Sequence, residues 1–260
     1  MRLGMCVGTD VERMRVAAQV GYDYVEGGLS AIAAMGDEEF ETFLRAVKEL
    51  PIPMLKCNGF MPGSVHPTGA NVSEAELRAY LEKAMFRAQR LGIRVCVFGS
   101  GAARQVPPDF SHVEAWKQLA AFLRLMAEYC EKYDLKIAIE PLRRKECNIV
   151  NLVSEATVLA AWADSPRIGV LGDTFHMLSC HEPWDALTYA GDRLYHMHIS
   201  HPLADMSSRN FPAPNDGTDY RPIFETLKAM HYAGDVSVEA GCGDFAADAA
   251  RALACLRALV

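Results

Sequence analysis

Eight short apolar runs, each followed by a stretch of helical periodicity, succeed one another along this 260-residue chain with no break in composition and no Ser/Gly linker. Apolar side chains at every second residue mark the runs as strands, and recurrence every three or four residues marks the intervals as helices. The predicted strands are Arg2–Gly8, Tyr22–Gly28, Met54–Phe60, Arg94–Ser100, Lys136–Leu142, Ile168–Thr174, Leu194–Ser200 and Asp235–Gly241. Strands joined through helices lie parallel, and eight such units close into a single (β/α)8 TIM barrel, an α/β fold that occupies about 250 residues as one domain. One domain over residues 1–260 is therefore expected. An open, doubly wound sheet is the competing arrangement, but neither GxGxxG nor GxxxxGK[ST] follows any strand.

Local signals agree with this alternation. Ser73-Glu-Ala-Glu76 and Ser111-His-Val-Glu114 have the Ser-x-x-Glu form of a capping box at helix starts. Gly21, Gly92 and Gly234 fall just after helical runs, where a left-handed C-cap favours glycine. The longer connections, Met61–Val72 after the third strand and Pro202–Tyr220 after the seventh among them, fall on the face where a barrel builds its active site. Phe60 and Met61 open the first of these, either as core or as an apolar wall for a ligand.

Composition narrows the function. A net charge of −7 and a pI near 5.6, with no extended Lys/Arg-rich run, supply no footprint for a phosphate backbone, so a nucleic-acid partner is not expected. No apolar run has the length of a membrane span, and the N-terminus turns polar at Thr9-Asp10, so a cytoplasmic protein without a membrane partner is expected. The eight cysteines form no CxxC or cluster, and Cys6, Cys57 and Cys96 sit in apolar strand-like runs, as reduced core thiols do.

Four consecutive strands depart from the apolar pattern at their C-terminal ends. In the fifth, Lys136, Ala138 and Glu140 share one face while Ile137 and Ile139 share the other, and in the eighth Asp235, Ser237 and Glu239 oppose Val236 and Val238. With the apolar residues against the helices, Glu140 and Glu239 point into the barrel at its rim. The sixth strand ends at Asp173, with His176 just beyond, and the seventh places His196 and His198 on one face. A carboxylate at the end of a buried strand must be paired, protonated or bound to a cation. Each of these residues, taken singly, also serves as a helix cap or an ion-pair partner. Together they form a mostly oxygen-donor set suited to one divalent ion, Mn²⁺ first and Mg²⁺ or Co²⁺ after it.

Glu140-Pro-Leu, Asp173-Thr-Phe-His176, His196-Met-His198 and Val238-Glu239 resemble, in order and spacing, the sugar isomerase/epimerase branch of the xylose isomerase-like barrels, the D-tagatose and D-psicose 3-epimerases among them. The resemblance implies metal ligation by Glu140, Asp173, His198 and Glu239. It also implies proton transfer by Glu140 and Glu239, and substrate contacts from Glu146, His176 and Arg209, the last arriving after His201-Pro202 and a long loop. The implied reaction is isomerisation or epimerisation of a ketose, sugar phosphate or keto-polyol, by proton abstraction beside a metal-bound carbonyl. A lyase or dehydratase acting on a keto sugar, inosose or keto-glycoside is the alternative. A non-catalytic metal-binding subunit ranks below both, and a homo-oligomer is left open. The related DNA-repair endonuclease barrels need further histidines on the early strands, and Cys96-Val-Phe-Gly-Ser100 offers none.

Overall fold

The computed structural model describes all 260 residues. Its strands are β1 (Leu3–Cys6), β2 (Tyr24–Gly28), β3 (Met54–Asn58), β4 (Val95–Phe98), β5 (Lys136–Ile139), β6 (Ile168–Asp173), β7 (Leu194–Ile199), β8 (His201–Pro202), β9 (Arg209–Asn210) and β10 (Asp235–Val238). Eight of them close a parallel barrel in the order β1-β10-β7-β6-β5-β4-β3-β2, with helices between successive strands, so the expected (β/α)8 TIM barrel is the observed one. β8 and β9 form a small antiparallel hairpin in the connection after β7.

The barrel strands are one to three residues shorter than the apolar runs predict, because the chain turns into its loops as soon as it clears the rim. Single ladder bonds continue past them: the Glu140 amide donates to the Phe98 carbonyl at 3.1 Å and the Glu239 amide to that of Ile199 at 3.2 Å. Both glutamates are thus held in strand-like register just beyond the strand ends.

Ser73 and Ser111 cap their helices by accepting from the amides of Glu76 and Glu114, the serine half of the box alone being formed. Gly21 and Gly92 are left-handed C-caps, at φ of 103° and 89°. Gly234 is not. The helix Arg221–Ala229 ends at Met230, His231 takes the left-handed turn, and a Cβ on Gly234 would meet the Tyr232 hydroxyl at 2.3 Å, so close approach of that ring is what the glycine serves. Phe60 and Met61 are buried, and Phe60 packs edge-on against Tyr80 and Phe98, which settles them as core.

One continuous apolar layer fills the space between strands and helices, but the inside of the barrel is divided. Val95, Val97, Ala138 and Leu171, from β4, β5 and β6, make its apolar side. Opposite stand Tyr24, Glu26, Lys56, His196, His198, Asp235 and Ser237, all buried. β2 and β7 are not neighbours in the sheet, nor are β3 and β10, so the Glu26–His196 and Lys56–Asp235 contacts cross the interior. At the lower end, Asp235 receives Lys56 Nζ and Arg2 Nε, each at 2.9 Å, which compensates a charge that would otherwise cost several kcal/mol to bury.

Tyr24 occupies the barrel interior and reaches Ser237 Oγ at 2.8 Å, and Gly4 leaves the room: a Cβ there would lie 2.2 Å from the ring. Gly4→Ala is therefore expected to destabilise the fold by about 1–3 kcal/mol through overpacking. Urea unfolding measures it, and a loss near zero would show that the ring has slack.

Candidate active site

Glu140, Asp173, His198 and Glu239 each place a donor atom within 4.8 Å of the others. Their elements explain the convergence. β5, β6, β7 and β10 are consecutive around the barrel, and the register sets Asp173 beside His198 and His198 beside Ser237, two residues before Glu239. His198 Nδ1 is the centre, at 3.0 Å from Glu239 Oε2, 3.3 Å from Glu140 Oε1 and 3.7 Å from Asp173 Oδ2. These spacings suit one cation shared by three carboxylate oxygens and an imidazole nitrogen, a mostly hard donor set.

Neighbouring groups aim each member. Asp173 divides its two oxygens: Oδ1 accepts from the amides of Phe175 and His176, starting the helix Thr174–Ser179, while Oδ2 faces the cluster. Glu140 lies against Gly99, where a Cβ would stand 2.2 Å from Oε2 and push the carboxylate from this position. Glu239 accepts from Asn58 Nδ2 at 2.6 Å and from Arg209 at 2.7 Å.

The other face of His198 is set by Glu26, a residue that the strand-end reading does not include. Glu26 Oε1 faces His198 Nε2 at 3.0 Å and Oε2 faces His196 Nε2 at 2.8 Å, all three side chains being fully buried. A carboxylate behind a ligating histidine fixes the ring and leaves its other nitrogen for a metal. The signal is present in Tyr24-Val-Glu26, an acid inside a buried strand. Of the two candidate histidines, His198 thus faces the cluster, whereas His196 lies deeper, between Glu26 and the Asp235 carbonyl.

Electrostatics follow the same geometry. Burial alone lowers the pKa of His198, but Glu239 and Glu26 outweigh it and hold the imidazole well above its usual range, so the position attracts positive charge. Burial pushes Glu140 up, with Glu239 adding to the effect. Glu239 and Asp173 move down despite burial, Glu239 under the charges of His198 and Arg209 and Asp173 chiefly under that of Arg209. Cys6 is a free thiol, its pKa pushed up by burial, with its Sγ within 4.8 Å of side-chain donor atoms of Glu26 and His198.

The three substrate-contact candidates are placed differently. Arg209 reaches the cluster: its guanidinium bridges Asp173 Oδ2 and Glu239 Oε2, because the β8–β9 hairpin folds back and the Arg209 carbonyl accepts from the Gly241 amide just after β10. His176 is buried with Nε2 4.0 Å from Glu140 Oε1, and its Nδ1 accepts from the Arg143 amide. Glu146 stands apart from the four-residue cluster, half exposed, and pairs with Arg143.

Residues 14–259 match the xylose isomerase-like TIM barrel family, and the chain belongs to it. Within the curated proteins it is 31% identical over 170 residues to a probable ketose 3-epimerase of Synechocystis sp., a match covering 62% of this chain and 55% of that protein. The matched stretch is thus only about half the length of that relative. The 3-dehydro-D-guloside 4-epimerase of Escherichia coli K12 is 23% identical over 239 residues, covering 88% of this chain and 86% of its own. A crystal structure of D-psicose 3-epimerase determined with D-fructose superposes over 100% of this chain and 99% of that one, with a TM-score of 0.84 at 18% identity, which establishes the likeness of fold.

Glu26→Gln is expected to weaken divalent-cation binding by about 10–100-fold, the usual effect of losing such a supporting carboxylate. Isothermal titration measures this, and an unchanged affinity would show that Glu26 does not orient the ring.

Proposed function

We propose that this chain is a divalent-metal-dependent epimerase or isomerase of a ketose or a related keto sugar. The observation that carries the reading is the convergence of Glu140, Asp173, His198 and Glu239 at the barrel rim, with Glu26 behind the histidine. Three carboxylates held this close repel one another when ionised, and a cation among them relieves that repulsion. We infer Mn²⁺ as the ion, with Mg²⁺ or Co²⁺ as substitutes, since oxygen donors dominate the set.

Bound there, the ion supplies Lewis-acid polarisation of a substrate carbonyl. The remaining work falls to the chain. Glu140 and Glu239 come from β5 and β10, on either flank of Asp173 and His198 in the strand order, and so approach a sugar seated over His198 from different sides. Inverting a carbon beside a carbonyl needs a proton removed from one face and returned to the other, which two such carboxylates accomplish. His176, with its proton on Nε2 because Nδ1 accepts from Arg143, donates to a substrate oxygen. Arg209 orients Asp173 and Glu239 and offers its outer N–H groups to a hydroxyl, and Glu146 receives a more distant one.

The near full-length alignment with the E. coli 4-epimerase supports including keto-glycosides among the substrates to be tried. We place the activity in the cytoplasm, supported by eight cysteines without a disulfide, and leave a homo-oligomer as its assembly.

The test is a Mn²⁺-supplemented screen of ketoses, sugar phosphates, inososes and keto-glycosides, followed by NMR in D₂O. Deuterium entering a carbon next to the carbonyl with mass otherwise conserved identifies an epimerase or isomerase; an unsaturated product identifies a lyase. Glu239→Gln is expected to slow that exchange by about 10²–10⁴-fold, the range for loss of a general base, and near-normal exchange rejects Glu239 in this role. Protein purified without chelator that carries no divalent ion, and whose melting temperature does not rise with added Mn²⁺, would reject the metal site.

A further inference from the structure

Arg143 has no place in the proton-transfer scheme, yet it touches the supports of all three substrate-contact residues. Its Nε meets Glu146 Oε1 at 2.5 Å, and its Nη1 donates to the Met206 carbonyl at 2.6 Å, in the hairpin loop that carries Arg209. Its backbone amide donates to His176 Nδ1 at 3.3 Å. Its guanidinium carbon stands 4.5 Å from the centroid of the Phe175 ring, and that of Arg209 stands 5.1 Å from the same ring. The side chain is only 12% exposed, and its bonds to the Met206 carbonyl and to the more exposed Glu146 are both charge-assisted.

The hairpin is shaped to receive it. Met206 adopts a left-handed backbone at φ 55°, a conformation disfavoured for a residue with a Cβ. Within the loop, the Met206 amide donates to Leu203 and the Leu203 amide to Ser208, and the turn leaves the Met206 carbonyl to Arg143. A guanidinium serves two such partners because its donors form a rigid planar fork, whereas a lysine presents one ammonium point.

We propose that Arg143 is the positioning residue of the substrate-binding half of the site: it ties the loop after β5 to the β8–β9 hairpin, and thereby sets Glu146 and Arg209 relative to the cluster. It touches none of Glu140, Asp173, His198 and Glu239 directly and reaches them only through Arg209, so its effect on metal binding is smaller than its effect on substrate binding. The inference rests on the proposed function only for what Glu146 and Arg209 contact; the tie between the loops stands on the geometry.

The experiment compares the wild-type protein with Arg143→Ala and Arg143→Lys, in the full chain. Hydrogen exchange at the Leu203 and Met206 amides is expected to speed up by about tenfold or more in both variants, as local opening becomes easier. The Mn²⁺ dissociation constant rises by less than about threefold, through the displaced Arg209 alone. For a substrate identified by the D₂O screen, KM rises by about tenfold with kcat within about threefold, the pattern of lost ground-state binding. Unchanged exchange at both amides overturns the proposal, as does full restoration by lysine or a Mn²⁺ affinity that falls in step with KM. Should no keto sugar react, the functional reading fails and the exchange result alone decides the role of Arg143.

Discussion

The interior of this barrel depends on one carboxylate. Glu26 reaches across from β2 to two histidines on β7, and without that pairing three polar side chains would be buried at a cost of several kcal/mol. The contact does more than satisfy them. By holding Nε2 of His198 it turns Nδ1 toward Glu140, Asp173 and Glu239, so the direction of the chemistry at the rim is decided one layer below it. The Lys56–Asp235 pair repeats the cross-barrel arrangement at the lower end, and Tyr24 and Ser237 join the layers. Below the rim the polar network keeps to one side of the barrel while β4, β5 and β6 supply the apolar side, and only at the rim do Glu140 and Asp173 bring polar groups to the ends of β5 and β6.

The fold is legible in the sequence because alternation of period and the absence of linkers leave few topologies. The rim acids are legible for a related reason: Glu140 and Glu239 interrupt strands whose other alternating face is apolar, and such a charge demands a partner. Glu26 breaks its own strand by the same rule, but its purpose is hidden, since its partners lie 170 and 172 positions away and on a strand that is not adjacent in the sheet. Gly234 shows the opposite difficulty. A glycine after a helix has two common uses, and only the neighbouring Tyr232 ring shows that close approach rather than chain reversal is the one in force.

Arg209 and Glu146 carry the remaining lesson. Both are suggested by family spacing, and spacing says nothing about what a loop folds onto. The hairpin brings Arg209 back to β10 and onto two cluster carboxylates, whereas Glu146 stays at the mouth in the hold of Arg143. The loops thus grade the cluster from a buried anionic floor, whose charge is partly offset by one guanidinium, to a more exposed rim at Glu146.

The fit of Glu140 against Gly99 has a consequence for how this site can change over evolutionary time. A side chain gained at position 99 meets the tip of the carboxylate, so its cost falls on the placement of Glu140 rather than on the backbone. Losing Glu140 removes that cost. A lineage that keeps this rim is therefore expected to keep glycine at position 99, and one that abandons the rim is free to fill it.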